Sequence, residues 1–156
     1  MLMMGVGGAL VLLVVGEAVL PALLRLLGLP GQDISSYESI EGNYGLLAMY
    51  LTVSWTTAGF GEELIFRGFL MGGLARCLGQ SRWAWAAAVI ISSMLFGLMH
   101  VKTGLGGMLT TGLSGALLAG LYLLSHRSIW AAYIAHGLAN SVSFLWIFTG
   151  LHRHFS

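Results

Sequence analysis

Gly59-Phe60-Gly61-Glu62-Glu63-Leu64-Ile65-Phe66-Arg67-Gly68-Phe69-Leu70 sets Glu62, Glu63 and Arg67 inside a stretch otherwise apolar enough to sit in lipid. These are three of only thirteen formally charged side chains, seven basic and six acidic. An ionised group at mid-bilayer is disfavoured by roughly 2.5 to 3.5 kcal/mol on the mildest scale, so something must offset it. On a helix, Glu63 and Arg67 are four residues apart and share a face where they can pair. Glu62 is rotated by about 100° from Glu63. Glu63 therefore reads as the structural partner of Arg67, and Glu62 as the carboxylate free to do chemistry.

The composition around this stretch fixes the class. The chain has 156 residues, 57% hydrophobic and 8% charged, where soluble domains carry about 25% charged residues. This predicts an all-α, polytopic transmembrane bundle, since each span takes about 20 residues and the length leaves no room for a separate soluble domain. Residues 1–156 form one integral-membrane domain, with 1–29 as a leading helix and 44–150 as the motif-bearing core. A net charge of +1 gives no basic face for nucleic acid. The single Cys77 can make no internal disulfide.

Along the chain the apolar segments suggest five crossings. Met1 to Leu29 reads as a retained helix, lacking the basic start and small-residue cleavage site of a signal peptide. Glu17 and Arg25 lie on it with Pro21 between them. They imply either a kink with a partner on another helix or a position near the interface, where the side chains snorkel to water. Pro30 to Asn43 reads as a water-exposed loop carrying Asp33, Glu38 and Glu41 and no base. Tyr44 to Gly79 as one helix would be about 54 Å long, too long for a core of about 30 Å. It must break, tilt or leave the membrane, and Gly59 and Gly61 are the natural break. Trp83 and Trp85 follow a polar turn as interface anchors. Trp83 to Val101, Met108 to Leu124 and Ile129 to Gly150 are the remaining spans, the second a small-residue packing helix with Gly112, Ser114, Gly115 and Gly120. His126, His152 and His154 read as solvated, and the tail 151–156 as frayed. Arg76, Arg82 and Arg127 fall on one side of such a bundle, which the distribution of basic residues marks as cytoplasmic.

Three spans carry polar side chains away from the turns: Glu62, Glu63 and Arg67 on one, His100 on the next, His136 and Asn140 on the last. Intramembrane ionisable groups must find each other or water, and they mark functional sites by default. Glu62 is nineteen residues before Ser81 and His100 nineteen after it. A hairpin turning there brings the two to similar depth. His136 lies only about nine residues, or roughly 13 Å, into a helix that starts near Arg127. Straight helices leave it short of His100, so a tilted, broken or offset helix is expected.

Glu62-Glu63-x-x-x-Arg67, Phe96-x-x-x-His100 and His136-x-x-x-Asn140, in that order on successive apolar helices, resemble the CPBP intramembrane proteases. That family includes type II CAAX prenyl proteases and bacteriocin-processing proteases. The resemblance extends through Phe66-Arg-Gly-Phe-Leu70 and Ile129-Trp-Ala-Ala-Tyr-Ile-Ala-His-Gly-Leu-Ala-Asn140. Many family members carry more helices before the first motif, so this chain resembles a short or trimmed form. The resemblance implies a core of four helices around a polar cavity, with one helix packed outside. It implies an intramembrane endopeptidase in a cell membrane, expected to be prokaryotic, acting on a membrane-associated or lipidated peptide.

The roles the resemblance implies are a general base at Glu62 that activates water, and His100 helping to hold that water. His136 and Asn140 would stabilise the oxyanion. Glu63 and Arg67 would brace the site, with Phe96 packed beside His100. No cofactor is required by this reading. The alternative within the same residues is a zinc site at Glu62, His100 and His136, although the H-E-x-x-H spacing is absent. The rival from another class is a non-proteolytic immunity or scaffolding protein of the same fold.

Overall fold

A computed structural model describes residues 1–154, and the last two residues of the tail lie outside that description. The described residues form five long helices. These are α1 (Leu2–Leu26), α2 (residues 44–77), α3 (Arg82–Leu98), α4 (Gly104–Leu124) and α5 (Ile129–Phe148), with short 3₁₀ turns at Ser35–Ile40, Val101–Thr103 and Leu151–His154. Leu2–Leu26, Val101–Leu124 and Ile129–Phe148 are long and apolar enough to cross a membrane, and Arg82–Leu98 is a shorter apolar helix. The protein is a helical membrane bundle. Side-chain caps start three of its helices: Asn43 Oδ1 accepts from Leu46 N–H, Ser81 Oγ from Ala84 N–H and Ser128 Oγ from Trp130 N–H.

The expected break at Gly59 and Gly61 does not occur. α2 runs unbroken from 44 to 77, but Ser54–Glu62 and Leu64–Met71 are wound as π-helix. Two hydroxyl groups at the start of the first segment bond back to the preceding turn. Ser54 Oγ donates to the Tyr50 carbonyl at 2.8 Å and Thr56 Oγ1 to that of Thr52 at 2.7 Å. Such back-bonding loosens a helix locally, and this stretch is closed by i→i+5 bonds. Wider turns hold more residues each, so α2 advances less per residue than an α-helix. This shortens the over-long segment and keeps Glu62 and Glu63 nearer the 78–81 turn. α5 is regular throughout, so the irregularity that lets His136 reach its partners sits in α2.

α1 also contains a π stretch, Val14–Val19, just before Pro21. Pro21 cannot supply the N–H of an α-turn, and the wider winding carries the helix through without a break.

Three apolar clusters tie the helices together. Ala9 and Leu12 of α1 pack with Leu118 of α4 and Ala132, Ala135 and Ala139 of α5. Met71 and Ala75 of α2 meet Ala88 of α3 and Ala119 and Tyr122 of α4. Ile40, Leu47 and Ile147 close the end that carries the long loop. α3 and α4 approach most tightly at Gly97, where a Cβ would stand 2.5 Å from the Met108 carbonyl oxygen. Gly112 and Gly115 of α4 also face α3, whereas Gly120 has no neighbour within 4 Å. Of the two expected anchors, Trp83 is exposed, while Trp85 packs on the second cluster under the Arg127 guanidinium at 4.2 Å.

The loop 30–43 is only partly the solvated segment its acids suggest. Asp33 and Glu38 are exposed, and hydrogen bonds from Ser35 hold the Asp33 carboxyl below its usual range. Ile40, however, is fully buried, and the Tyr37 ring packs on Tyr50 and Phe144. Asp33 N–H donates to the Thr103 carbonyl at 2.9 Å and Gly42 N–H to that of Phe148 at 3.1 Å. Apolar residues between the acids pin the loop across one end of the bundle.

The π winding makes Gly59 and Gly61 unequal. A Cβ at Gly59 would stand 2.6 Å from the Ser54 carbonyl oxygen and 3.3 Å from the Tyr133 ring, whereas at Gly61 the nearest atom is 3.7 Å away. Gly59→Ala is expected to cost about 1–3 kcal/mol through overpacking. Gly61→Ala should be neutral or slightly stabilising, because alanine loses less backbone freedom in a helix. Thermal unfolding of both variants in detergent checks this, and equal effects would contradict it.

Candidate active site

The site is built around one buried carboxylate. Glu63 is fully buried, and its Oε1 accepts from Arg67 Nη1 at 3.1 Å and from His136 Nδ1 at 2.9 Å. Arg67, also buried, donates from Nη2 to the Gly115 carbonyl at 2.9 Å, tying α2 to α4. The pairing of Glu63 with Arg67 is as the four-residue spacing predicts. The bond to His136, 73 positions away, leaves no trace in local spacing.

Phe96 fills the space beside this network. The Arg67 guanidinium lies 4.6 Å from its ring centroid, and the rings of Phe66, His100 and His136 lie 5.0, 5.2 and 6.0 Å from it. A desolvated cation over an aromatic face is worth about 2 kcal/mol. Phe96 also fixes His100 through its backbone, because its carbonyl accepts from His100 Nδ1 at 2.9 Å. With Nδ1 donating in both histidines, Nε2 is the ring nitrogen left for chemistry in each.

These groups form the wall of a cavity of about 380 Å³. Glu62, Phe96, His100, His136 and Asn140 all line it, while Glu63 and Arg67 lie buried behind. Glu62 Oε2 is buried without a hydrogen-bond partner among the described residues. Glu62 is within electrostatic reach of both histidines. The structure thus brings the sequence-predicted residues together on one cavity wall and its immediate backing.

Other parts of the chain also line the cavity. The leading helix is not simply packed outside: Leu12, Leu13, Gly16 and Glu17 of α1 line the cavity, and Ser143 Oγ donates to Glu17 Oε1 at 2.8 Å. The loop contributes Gln32, Ile34 and Tyr37. His152 also lines the cavity and is not simply solvated, because the 3₁₀ turn after Gly150 folds the chain back over that end. Only Glu17 had announced itself, as an acid in an apolar helix.

Among the described residues, no three His, Cys, Asp or Glu side chains converge into a group that could hold a metal ion. Glu62, His100 and His136 share the cavity wall without forming such a group.

A family model described as type II CAAX prenyl endopeptidase Rce1-like matches residues 44–142, more than half of the chain. The protein belongs to that family of CAAX-type intramembrane endopeptidases. The match begins at the start of α2 and ends two residues beyond Asn140, leaving α1 outside it. No curated protein and no solved structure matches the chain.

Removing one partner from a buried ion pair leaves an uncompensated charge, at a cost of about 3–5 kcal/mol. Arg67→Ala should therefore lower stability by that order, as read from denaturant or thermal unfolding in detergent. Arg76→Ala, outside the network, should change it by less than about 1 kcal/mol. Comparable effects at the two positions would refute the buried network.

Proposed function

We propose that this protein is an intramembrane endopeptidase that hydrolyses a peptide bond of a membrane-associated substrate with water activated by Glu62. The observation that carries the proposal is the shared cavity: Glu62, His100, His136 and Asn140 line it, with Glu63 and Arg67 buried behind them.

The hydrogen bonds that His100 and His136 already make support their roles. Glu62, with Oε2 uncommitted, takes a proton from water as the oxygen attacks the substrate carbonyl. His100, its Nδ1 engaged by Phe96, uses Nε2 to hold that water. Asn140 and His136 lie four apart on one face of α5 and donate to the oxyanion. His136 can donate from Nε2 only when both ring nitrogens carry hydrogen, and Glu63 is then the carboxylate that supports the imidazolium.

Charge counting supports this assignment. Ionised Glu62 and Glu63 against Arg67 leave one negative charge, which a proton on His136 cancels. When Glu62 takes the proton from water, the oxyanion carries the compensating charge, and the site stays neutral through the step. Collapse of the tetrahedral intermediate breaks the C–N bond, and Glu62 returns its proton to the leaving amine. No step requires a metal.

The test is cleavage of prenylated and transmembrane peptides by the detergent-purified protein. Glu62→Gln is expected to lower kcat by at least about 10³-fold, and His100→Ala and Asn140→Ala by about 10²-fold. The unfolding midpoint of Glu62→Gln should stay near that of the wild type, and a zinc chelator should leave wild-type turnover intact. Chelator-sensitive activity would overturn the glutamate mechanism. Failure of the folded wild type to cut any peptide that it binds would overturn the protease reading.

A further inference from the structure

Glu17 is a charged group that the proposed reaction does not use. It is exposed at the cavity wall, on the π-wound segment of α1, and lies outside the region matched by the family model. An intramembrane carboxylate is costly and by default functional. Its partner fixes where it acts. Ser143 Oγ donates to Glu17 Oε1 at 2.8 Å, and Ser143 follows His136 and Asn140 by seven and three residues, so all three lie on one face of α5. Glu17 is therefore held against the same helix face as the oxyanion donors, about 10 Å along the axis from His136.

The sign of the surroundings is also defined. Among the described residues, no lysine or arginine lines the cavity. Its ionisable lining groups are Glu17, Glu62, three histidines and two tyrosines. Three extended substrate residues span about 10 Å. A peptide with its scissile carbonyl at His136 and Asn140, laid along α5 towards Ser143, brings its third residue to Glu17.

We infer that Glu17 is a specificity-determining residue that accepts a lysine or arginine side chain about three residues from the scissile bond. The inference rests on the proposed protease reading and narrows its substrate class to membrane-associated peptides with a cation beside the cut. The same charge disfavours an anion there. A C-a-a-X tail laid in that direction would place its free terminal carboxylate, three residues beyond the cysteine, against Glu17.

The test uses three sets of membrane peptides, identical except for Lys, Gln or Glu at the third residue on either side of the cut. On the side that faces Glu17, wild-type kcat/KM should fall from Lys to Glu by about tenfold or more. In Glu17→Gln the spread should collapse below about twofold, and Glu17→Lys should reverse its order. A purely structural role would instead lower all three peptides together. An absent wild-type preference, or one that persists in Glu17→Gln, overturns the inference.

A binding arm keeps this separate from the protease reading. Labelled Lys and Glu peptides are titrated against Glu62→Gln, with and without Glu17→Gln. If the wild type cuts nothing, the protease reading fails, yet a Lys preference that Glu17→Gln removes still supports the role of Glu17. Equal binding of the two peptides, or a ratio unchanged by Glu17→Gln, overturns it.

Discussion

One carboxylate oxygen, Oε1 of Glu63, receives hydrogen bonds from both Arg67 and His136 in the interior of the bundle. Three ionisable groups from two helices are thereby committed to one point, and a third helix joins through the Gly115 carbonyl. A charged network removed from water is stable only when its members are paired and hydrogen-bonded. The rest of the arrangement serves that requirement. Phe96 seals the guanidinium on one side and orients His100 on the other. The close approach of α3 to α4 at Gly97 brings the ring of Phe96 under Arg67.

The backing network and the cavity wall divide the labour. Glu63 and Arg67 neutralise each other and fix the orientation of His136, while Glu62, the adjacent residue, turns to the cavity and keeps an oxygen free of protein partners. In the proposed chemistry that division lets a proton move between water, Glu62 and the leaving nitrogen without net charge accumulating in a low-dielectric site. The π winding of α2 contributes by placing the acidic pair at the depth of His136 without breaking the helix.

Much of this was legible in the residues. The four-residue spacing of Glu63 and Arg67 predicts their pair, and the hairpin about Ser81 predicts that Glu62 and His100 come near each other, as they do in lining one cavity. The ordered motifs predict that His136 and Asn140 join them. The parts that were not legible depend on long-range geometry. The Glu63–His136 bond has no local signature, and the glycines at 59 and 61 suggest a break where the helix winds into wider turns instead. The acidic residues of the loop 30–43 advertise solvent, while its burial is carried by Ile40 and Tyr37. α1 reads as an outer helix because its match to the cavity is made by Glu17 and Ser143 together, 126 residues apart.

The central claim is that Glu63 and His136 act as one unit. A double-mutant cycle on stability, with Glu63→Gln, His136→Gln and the pair, measured by unfolding in detergent micelles, tests it most directly. The account predicts a coupling of about 1–3 kcal/mol, the double variant losing much less than the sum of the singles. Additivity within about 0.5 kcal/mol would contradict it, because two residues that do not share a network lose their contributions independently.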